Sequence, residues 1–248
     1  MRSSLRWGCL LALVSCAPLL RQGWSPAQGA TALLERCGSE PARITDLKAA
    51  AELTLIQPGQ RQYASAALLF KPPDLFRIEV RGPLFVHLFT ALLRGDSLVV
   101  GAGDGSWRGG PFSAPALTRR WGLDLAGYDL RHALLGLVTP APLDSLIQSQ
   151  PDRCLAYLAG TPSRRLWLDT RHGFITGEEL LTPAGAPGLV RRLQDYQRVG
   201  EVYLPRRVEI RQGERALILE YRSWELDTGL GEGAFTRGIP LDRLEPLE

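Results

Sequence analysis

The sequence predicts a mainly β protein with a helical insert, an α+β chain built on one antiparallel sheet, sandwich or barrel. Three observations carry this. Short runs that alternate apolar and polar residues recur from residue 44 to residue 110 and again from residue 154 onward. Turn residues separate those runs at fairly even intervals. Between the two strand-rich parts, residues 117–150 switch to helical spacing. A chain of 248 residues makes one large domain or two small ones. Its apolar fraction of 45% is ordinary for a protein that buries a core.

The N-terminus comes first in chain order. Arg2 and Arg6 precede an apolar run from Cys9 to Val14. That run falls well short of the ~20 apolar residues a spanning helix needs. A basic start and a short hydrophobic middle are the layout of a secretory signal. No Ala-x-Ala site follows. Instead Leu13-Val14-Ser15-Cys16 resembles the bacterial lipobox, in which the cysteine sulfur is diacylglycerylated and the chain is cut before it. The expected division is a signal peptide over 1–15, a tether over 16–29 lipidated at Cys16, and one domain over 30–248. A plain signal with an incidental cysteine, or an uncleaved amphiphilic N-terminus, is the alternative. In enteric bacteria an aspartate after the lipidated cysteine retains a lipoprotein in the inner membrane. Ala17 stands there, so the expected location is the periplasmic face of the outer membrane rather than the inner membrane.

Residues 30–37 suit a short helix with Leu33 and Leu34 on its apolar side. Residues 44–57 and 61–71 read as two long strands around a Pro58-Gly59 turn, with a helix over 45–53 as the alternative. Phe76, Ile78 and Val80 alternate with Arg77, Glu79 and Arg81, which predicts a strand with one dry face. Residues 82–96, GPLFVHLFTALLRGD, are apolar on both faces. As a strand they put Leu84, Val86, Leu88 and Leu92 on one side and Phe85, Phe89 and Leu93 on the other. Two readings stand: a central strand covered on both sides, or a segment presenting apolar side chains to a ligand or membrane. SLVVGAGDGSWRGG predicts a hairpin turning at 102–105. Leu130, Leu134 and Leu137 at i, i+4 and i+7 predict a helix over 129–138, started by Asp129 and ended by Gly136 and Pro140. LDSLIQSQ at 143–150 suits another short helix. Six further strand runs follow from residue 154, with a tight turn at Arg211 to Glu214.

The search for chemistry yields little. His87, His132 and His172 are isolated, without H-E-x-x-H spacing. No nucleophile elbow or Walker loop is present, and the GAGDG of residues 101–105 reads as a hairpin turn. Glu178 and Glu179 are adjacent, so on a strand they point to opposite faces and cannot share one acid/base site. The expectation is no enzyme, no cofactor and no metal. A formal charge of +3, of which Arg2 and Arg6 carry two, argues against a nucleic-acid surface. Cys37 and Cys154 remain once Cys9 and Cys16 are assigned to the N-terminus. In an oxidising compartment they are a candidate disulfide, with no C-x-x-C to suggest metal or redox chemistry.

The order of features resembles the LolA/LolB lipoprotein-carrier superfamily, in particular its lipidated LolB-like branch. The residues carrying the resemblance are the lipobox at Leu13 to Cys16; Pro73, Asp74 and Arg77; and Arg81-Gly82-Pro83-Leu84. They continue through Asp129 to Gly136 (DLRHALLG), Tyr203 to Val208 (YLPRRV), the strand through Leu219-Glu220-Tyr221, and the closing Phe235 to Pro240. The resemblance implies a half-open antiparallel barrel of about eleven strands plugged by helices. It also implies an apolar cavity for lipid or lipoprotein acyl chains, and an apolar loop that enters the membrane. Candidate cavity or membrane-facing residues are then Leu84, Phe85, Val86, Leu88, Phe89, Leu92 and Leu93, with Leu130, Leu134 and Leu137 from the helix. The expected partners are lipid or lipoprotein acyl chains, the membrane through the N-terminal anchor, and a periplasmic carrier protein, with the chain itself monomeric. The alternative is a structural or assembly lipoprotein that uses the same fold as a scaffold.

Overall fold

The computed structural model describes residues 26–39, 43–112, 130–139 and 141–247, with side chains in the first segment from 29 to 36. The described strands join into one sheet of fourteen, in the order β14-β6-β5-β4-β3-β2-β1-β13-β12-β11-β10-β9-β8-β7. The sheet is curved and unclosed, with few helices beside it. Strand residues outnumber helical ones by more than twofold among the described residues.

The order follows from two meanders. In the first, β1 (Leu47–Gln57), β2 (Gln60–Lys71), β3 (Leu75–Arg81), β4 (His87–Arg94), β5 (Ser97–Ala102) and β6 (Trp107–Pro111) pair each with the next. In the second, β7 (Leu143–Gln150), β8 (Arg153–Leu158), β9 (Arg164–Asp169), β10 (Phe174–Leu181), β11 (Pro187–Val199), β12 (Val202–Gln212) and β13 (Arg215–Leu226) do the same. The first strand of one meander pairs with the last strand of the other, Leu53 opposite Leu219. Every pairing is antiparallel except the short β14 (Glu245–Pro246), which runs parallel to β6. Fourteen strands among the described residues exceed the eleven or so that the resemblance implied. The alternation in 44–57 resolves as strand, and the helical alternative for 45–53 is wrong. Pairing with β2 and β13 on its two sides overrides the helix propensity of its three alanines.

The helical reading of 143–150 is also wrong. Leu143, Leu146 and Ile147 fall at helical spacing, yet the segment is edge strand β7, exposed along almost all its length. A strand wet on both faces shows no alternation, so its periodicity misleads. Helix α1 (Pro26–Ser39) begins four residues before the expected start and packs on β7 and β8, with Leu33 buried and Leu34 half-buried. Helix α2 (Leu130–Leu135) is shorter than expected. Gly136, at φ +73, turns the chain out of the helix, and a Cβ there would strike Pro205. Leu137 is therefore buried beyond the helix end rather than on it. Asp129 and Pro140 lie outside the described residues.

One face of the sheet carries the main core. Leu53, Leu68, Phe76, Ile78, Leu166, Leu168, Val208 and Leu219 all point there, joined by Leu33 from α1 and Leu130 and Leu134 from α2. This inner face reaches from β5 to β8, so residues far apart along the sheet share one cluster. A second, smaller cluster covers the outer face of the first meander. There α3 (Glu232–Thr236) sets Phe235, with Ile239, against Leu75, Leu92 and Val99. Arg77 fastens that element, its Nη1 donating to the carbonyls of Phe235 at 3.0 Å and Arg237 at 2.7 Å.

Candidate functional site

The segment from Gly82 to Arg94 is two structures. Residues Pro83–Phe85 form a single 3-10 turn, closed by Gly82 N–H donating to Val86 O at 2.8 Å. Strand β4 begins only at His87. The turn projects Leu84 at 93% exposure, Phe85 at 80% and Val86 at 58%. Leu84 and Phe85 sit at φ 58 and 60, the left-handed region that a branched or aromatic residue enters only under compulsion. An exposed apolar tip held in that geometry is not a folding device, because it buries nothing. Tyr63, 61% exposed, stands across a shallow groove from it.

The stretch divides into a covered strand and an exposed apolar turn. Phe89 and Leu93 face the inner core, and Leu92 is covered on the outer face by the Phe235 cluster. Leu84, Phe85 and Val86 are the presented part. The expectation that Phe85 and Phe89 share a face fails. The turn at 83–85 breaks the strand, and Leu88 is an extra residue where Arg81 pairs with His87 and Val80 with Phe89. That bulge leaves Leu88 40% exposed and among the residues lining a rim pocket.

The pocket has a volume of about 340 Å³ and opens where β1, β2, β3, β4 and β13 reach the same end of the sheet. Its walls are Leu53, Leu55, Ala64, Val80, Phe89 and Leu217, with Leu88 at its margin. Gln57 and Gln62 are its polar side chains, Tyr63 borders it, and among the described residues no charged side chain lines it. A concave apolar surface with a few hydrogen-bonding groups suits a hydrocarbon ligand.

Leu130 and Leu134 are buried in α2 and Leu137 just beyond it. They pack into the core rather than lining the rim pocket. The α2 segment is held by its carbonyls. Tyr221 Oη donates to Leu134 O at 2.5 Å, and burial pushes its phenol strongly up, keeping it neutral. Arg191 Nη1 donates to the carbonyls of His132, Ala133 and Leu137, and Arg164 Nη2 to that of Thr139 at 3.0 Å. Glu178 accepts from both arginines, from Arg164 Nη1 at 3.1 Å and Arg191 Nη2 at 2.6 Å.

This buried triad was not singled out from the sequence, though a signal exists. Three charged doublets, Arg164-Arg165, Glu178-Glu179 and Arg191-Arg192, lie on the adjacent strands β9, β10 and β11. Each doublet puts one charge inward and one outward. Arg165 pairs with Glu179 on the outer face while Glu178 joins the inner triad.

Cys154 is buried on β8, and burial pushes its thiol up. Cys16 and the side chain of Cys37 lie outside the described residues. His87 meets Thr90 Oγ1 at 2.9 Å, His132 meets Thr139 Oγ1 at 3.2 Å, and His172 meets Asp169 at 2.9 Å. Among the described residues no cluster of three or more His, Cys, Asp or Glu could hold a metal ion. No described helix is long and apolar enough to cross a membrane.

No protein-family model matches the chain. No curated protein sequence matches it. Solved structures do. A DUF1329 family protein from Desulfovibrio piger superposes with a TM-score of 0.64 at 11% identity, over 86% of this chain and 98% of that one. A LolA superfamily protein from Nitrosomonas europaea gives 0.61 at 15% identity, over 84% and 97%. A domain described as an outer membrane lipoprotein-sorting protein, from Vibrio parahaemolyticus, gives 0.56 at 16% identity, over 82% and 95%. Identities this low speak to architecture alone. The chain has the LolA-like fold.

Proposed function

We propose that this protein is an outer-membrane-anchored lipoprotein of the LolB-like kind that binds lipid or lipoprotein acyl chains at the membrane surface, without catalysis. The observation that carries the reading is the exposed Leu84-Phe85-Val86 tip beside an apolar rim pocket. Each such side chain gains about 1.5–3 kcal/mol on leaving water, so the tip can hold that rim against a bilayer. A chain drawn from the bilayer then meets Leu88 and Phe89 without crossing open water. In this reading α1, on β7 and β8, and α2, on β12, are the helices that plug the half-barrel. A structural neighbour of the LolA superfamily and another named for lipoprotein sorting support the reading at the level of fold. Cys16 lipidation supplies the permanent anchor, and the tip orients the domain on it. A periplasmic carrier that hands over its cargo at this rim fits the same scheme.

The densely packed inner face favours a second reading, in which the domain is a scaffold for an envelope assembly. Vesicle flotation of the full chain carrying Cys16→Ser separates the two. The carrier reading expects the parent to float with phosphatidylethanolamine–phosphatidylglycerol vesicles and the Leu84→Ser/Phe85→Ser variant to stay behind. Equal flotation of both, or of neither, would sink it.

A further inference from the structure

We infer that the rim pocket takes a single acyl chain of about a dozen carbons under an uncharged, hydrogen-bonding head, and does not take two or three chains together. This rests on the acyl-chain reading above and narrows it to a substrate class.

Volume sets the first limit. The pocket holds about 340 Å³. That is the low end of the roughly 300–1,000 Å³ of ligand pockets, room for one chain and not for several. Shape agrees. The walls cross five neighbouring strands, from Leu217 on β13 through Leu53, Ala64 and Val80 to Phe89 on β4. At about 4.8 Å per strand this trough is about 19 Å long, a shape for one extended chain lying across the sheet.

The floor sets the second limit. One step further in on the same strands stand Ala51, Ala66, Ile78, Ala91 and Leu219, each no more than 4% exposed. A second chain beside the first would have to push apart packed side chains, and interiors at crystal-like density resist that.

The polar lining sets the head. Gln57 and Gln62 offer side-chain amides that can donate to an ester carbonyl or a hydroxyl and accept from the latter. Among the described residues no charged side chain lines the pocket, so a carboxylate drawn in would lose its water without gaining a cation from them. A neutral monoacylglycerol matches these limits, and so does one chain of a larger neutral lipid whose other chains stay in the bilayer.

The test is displacement of N-phenyl-1-naphthylamine from the full chain carrying Cys16→Ser, using monoacylglycerols of about 8 to 18 carbons. Affinity should rise about fourfold per methylene up to about twelve carbons and then stay level within about twofold. The dodecanoate anion should compete at least about tenfold more weakly than its glycerol ester. A diacylglycerol that binds about as well as the monoacyl form identifies one chain of a larger lipid as the occupant. One that binds about tenfold more weakly identifies a free single-chain lipid. Ala64→Phe should cut affinity about tenfold with an unchanged far-ultraviolet dichroism spectrum, and the chain-length series on the parent decides the matter if that variant does not fold. A rise continuing to 18 carbons, or a diacylglycerol bound about tenfold more tightly, overturns the single-chain pocket and leaves acyl binding standing. Failure of every chain length to displace the probe overturns both.

Discussion

Arg191 Nη2 donates to Glu178 Oε2 at 2.6 Å, and both side chains are 1% exposed. Two buried charges are tolerated here because each makes further hydrogen bonds besides the one between them. Glu178 also accepts from Arg164, and Arg191 also donates to the carbonyls at the end of α2. Removing one partner of a buried pair costs about 3–5 kcal/mol, and Arg191→Met leaves the buried Glu178 with Arg164 alone. Arg191→Met should therefore lower the free energy of urea unfolding by about that much. A loss under about 1 kcal/mol would show that the triad does not hold the α2 segment to the sheet.

Asp46 gives a pH-dependent prediction. Burial works to raise its carboxyl, but hydrogen bonds from Thr228, Leu230 and Gly229 outweigh it and hold the group below the usual carboxylate range. A depressed folded value stabilises above the unfolded value of about 3.9, and the gain is lost as pH falls through the folded one. Asp46→Asn should cost about 1–3 kcal/mol at neutral pH. Unfolding curves of parent and variant should converge only below about pH 4. A gap that closes already at pH 6 would contradict the assignment.

Phe85 and Phe89 should respond differently to the same change. Phe85 is exposed on the turn, so Phe85→Asp should alter stability by no more than about 0.5 kcal/mol while abolishing vesicle flotation. Phe89 is buried, so Phe89→Asp should cost several kcal/mol, about 3 or more. Similar unfolding midpoints for the two variants would contradict their placement on opposite sides of the turn.

Leu84 stores strain at φ 58, worth about 1–2 kcal/mol for a residue with a Cβ. Leu84→Gly relieves it, less the greater entropy glycine loses on folding. The net expectation is a gain of about 0.5–1 kcal/mol in thermal or urea unfolding, together with weaker vesicle binding. A destabilised variant would mean that the leucine packs against something.

How legible this was depended on burial. Strands β3, β12 and β13 have one dry face, so their alternation could be read directly from Phe76-Ile78-Val80, Val208-Ile210 and Leu217-Leu219-Tyr221. Edge strand β7 has none, and its Leu143, Leu146 and Ile147 mimic a helix. The continuous apolar run after Pro83 hid a turn, because nothing in Leu84 or Phe85 favours a left-handed backbone. Only Gly82-Pro83 marked the break. The rim pocket was beyond reach in another way. It depends on which strands become neighbours, and the pairing of β1 with β13 brings Leu53 to Leu217 across more than 160 residues of chain.

The anchor has its own test. With the tip removed by Leu84→Ser/Phe85→Ser, the protein should still sediment with outer-membrane fractions after a high-salt wash, and adding Cys16→Ser should release it. Sedimentation of that triple variant under the same wash would refute lipid anchoring at that cysteine.

Native mass spectrometry of the full chain carrying Cys16→Ser, purified without detergent, tests acyl binding most directly. The account predicts a bound mass of one acyl lipid, lost on extraction with organic solvent and diminished in folded Ala64→Phe. A bare chain, which also stays bare after incubation with monoacylglycerol, would contradict it.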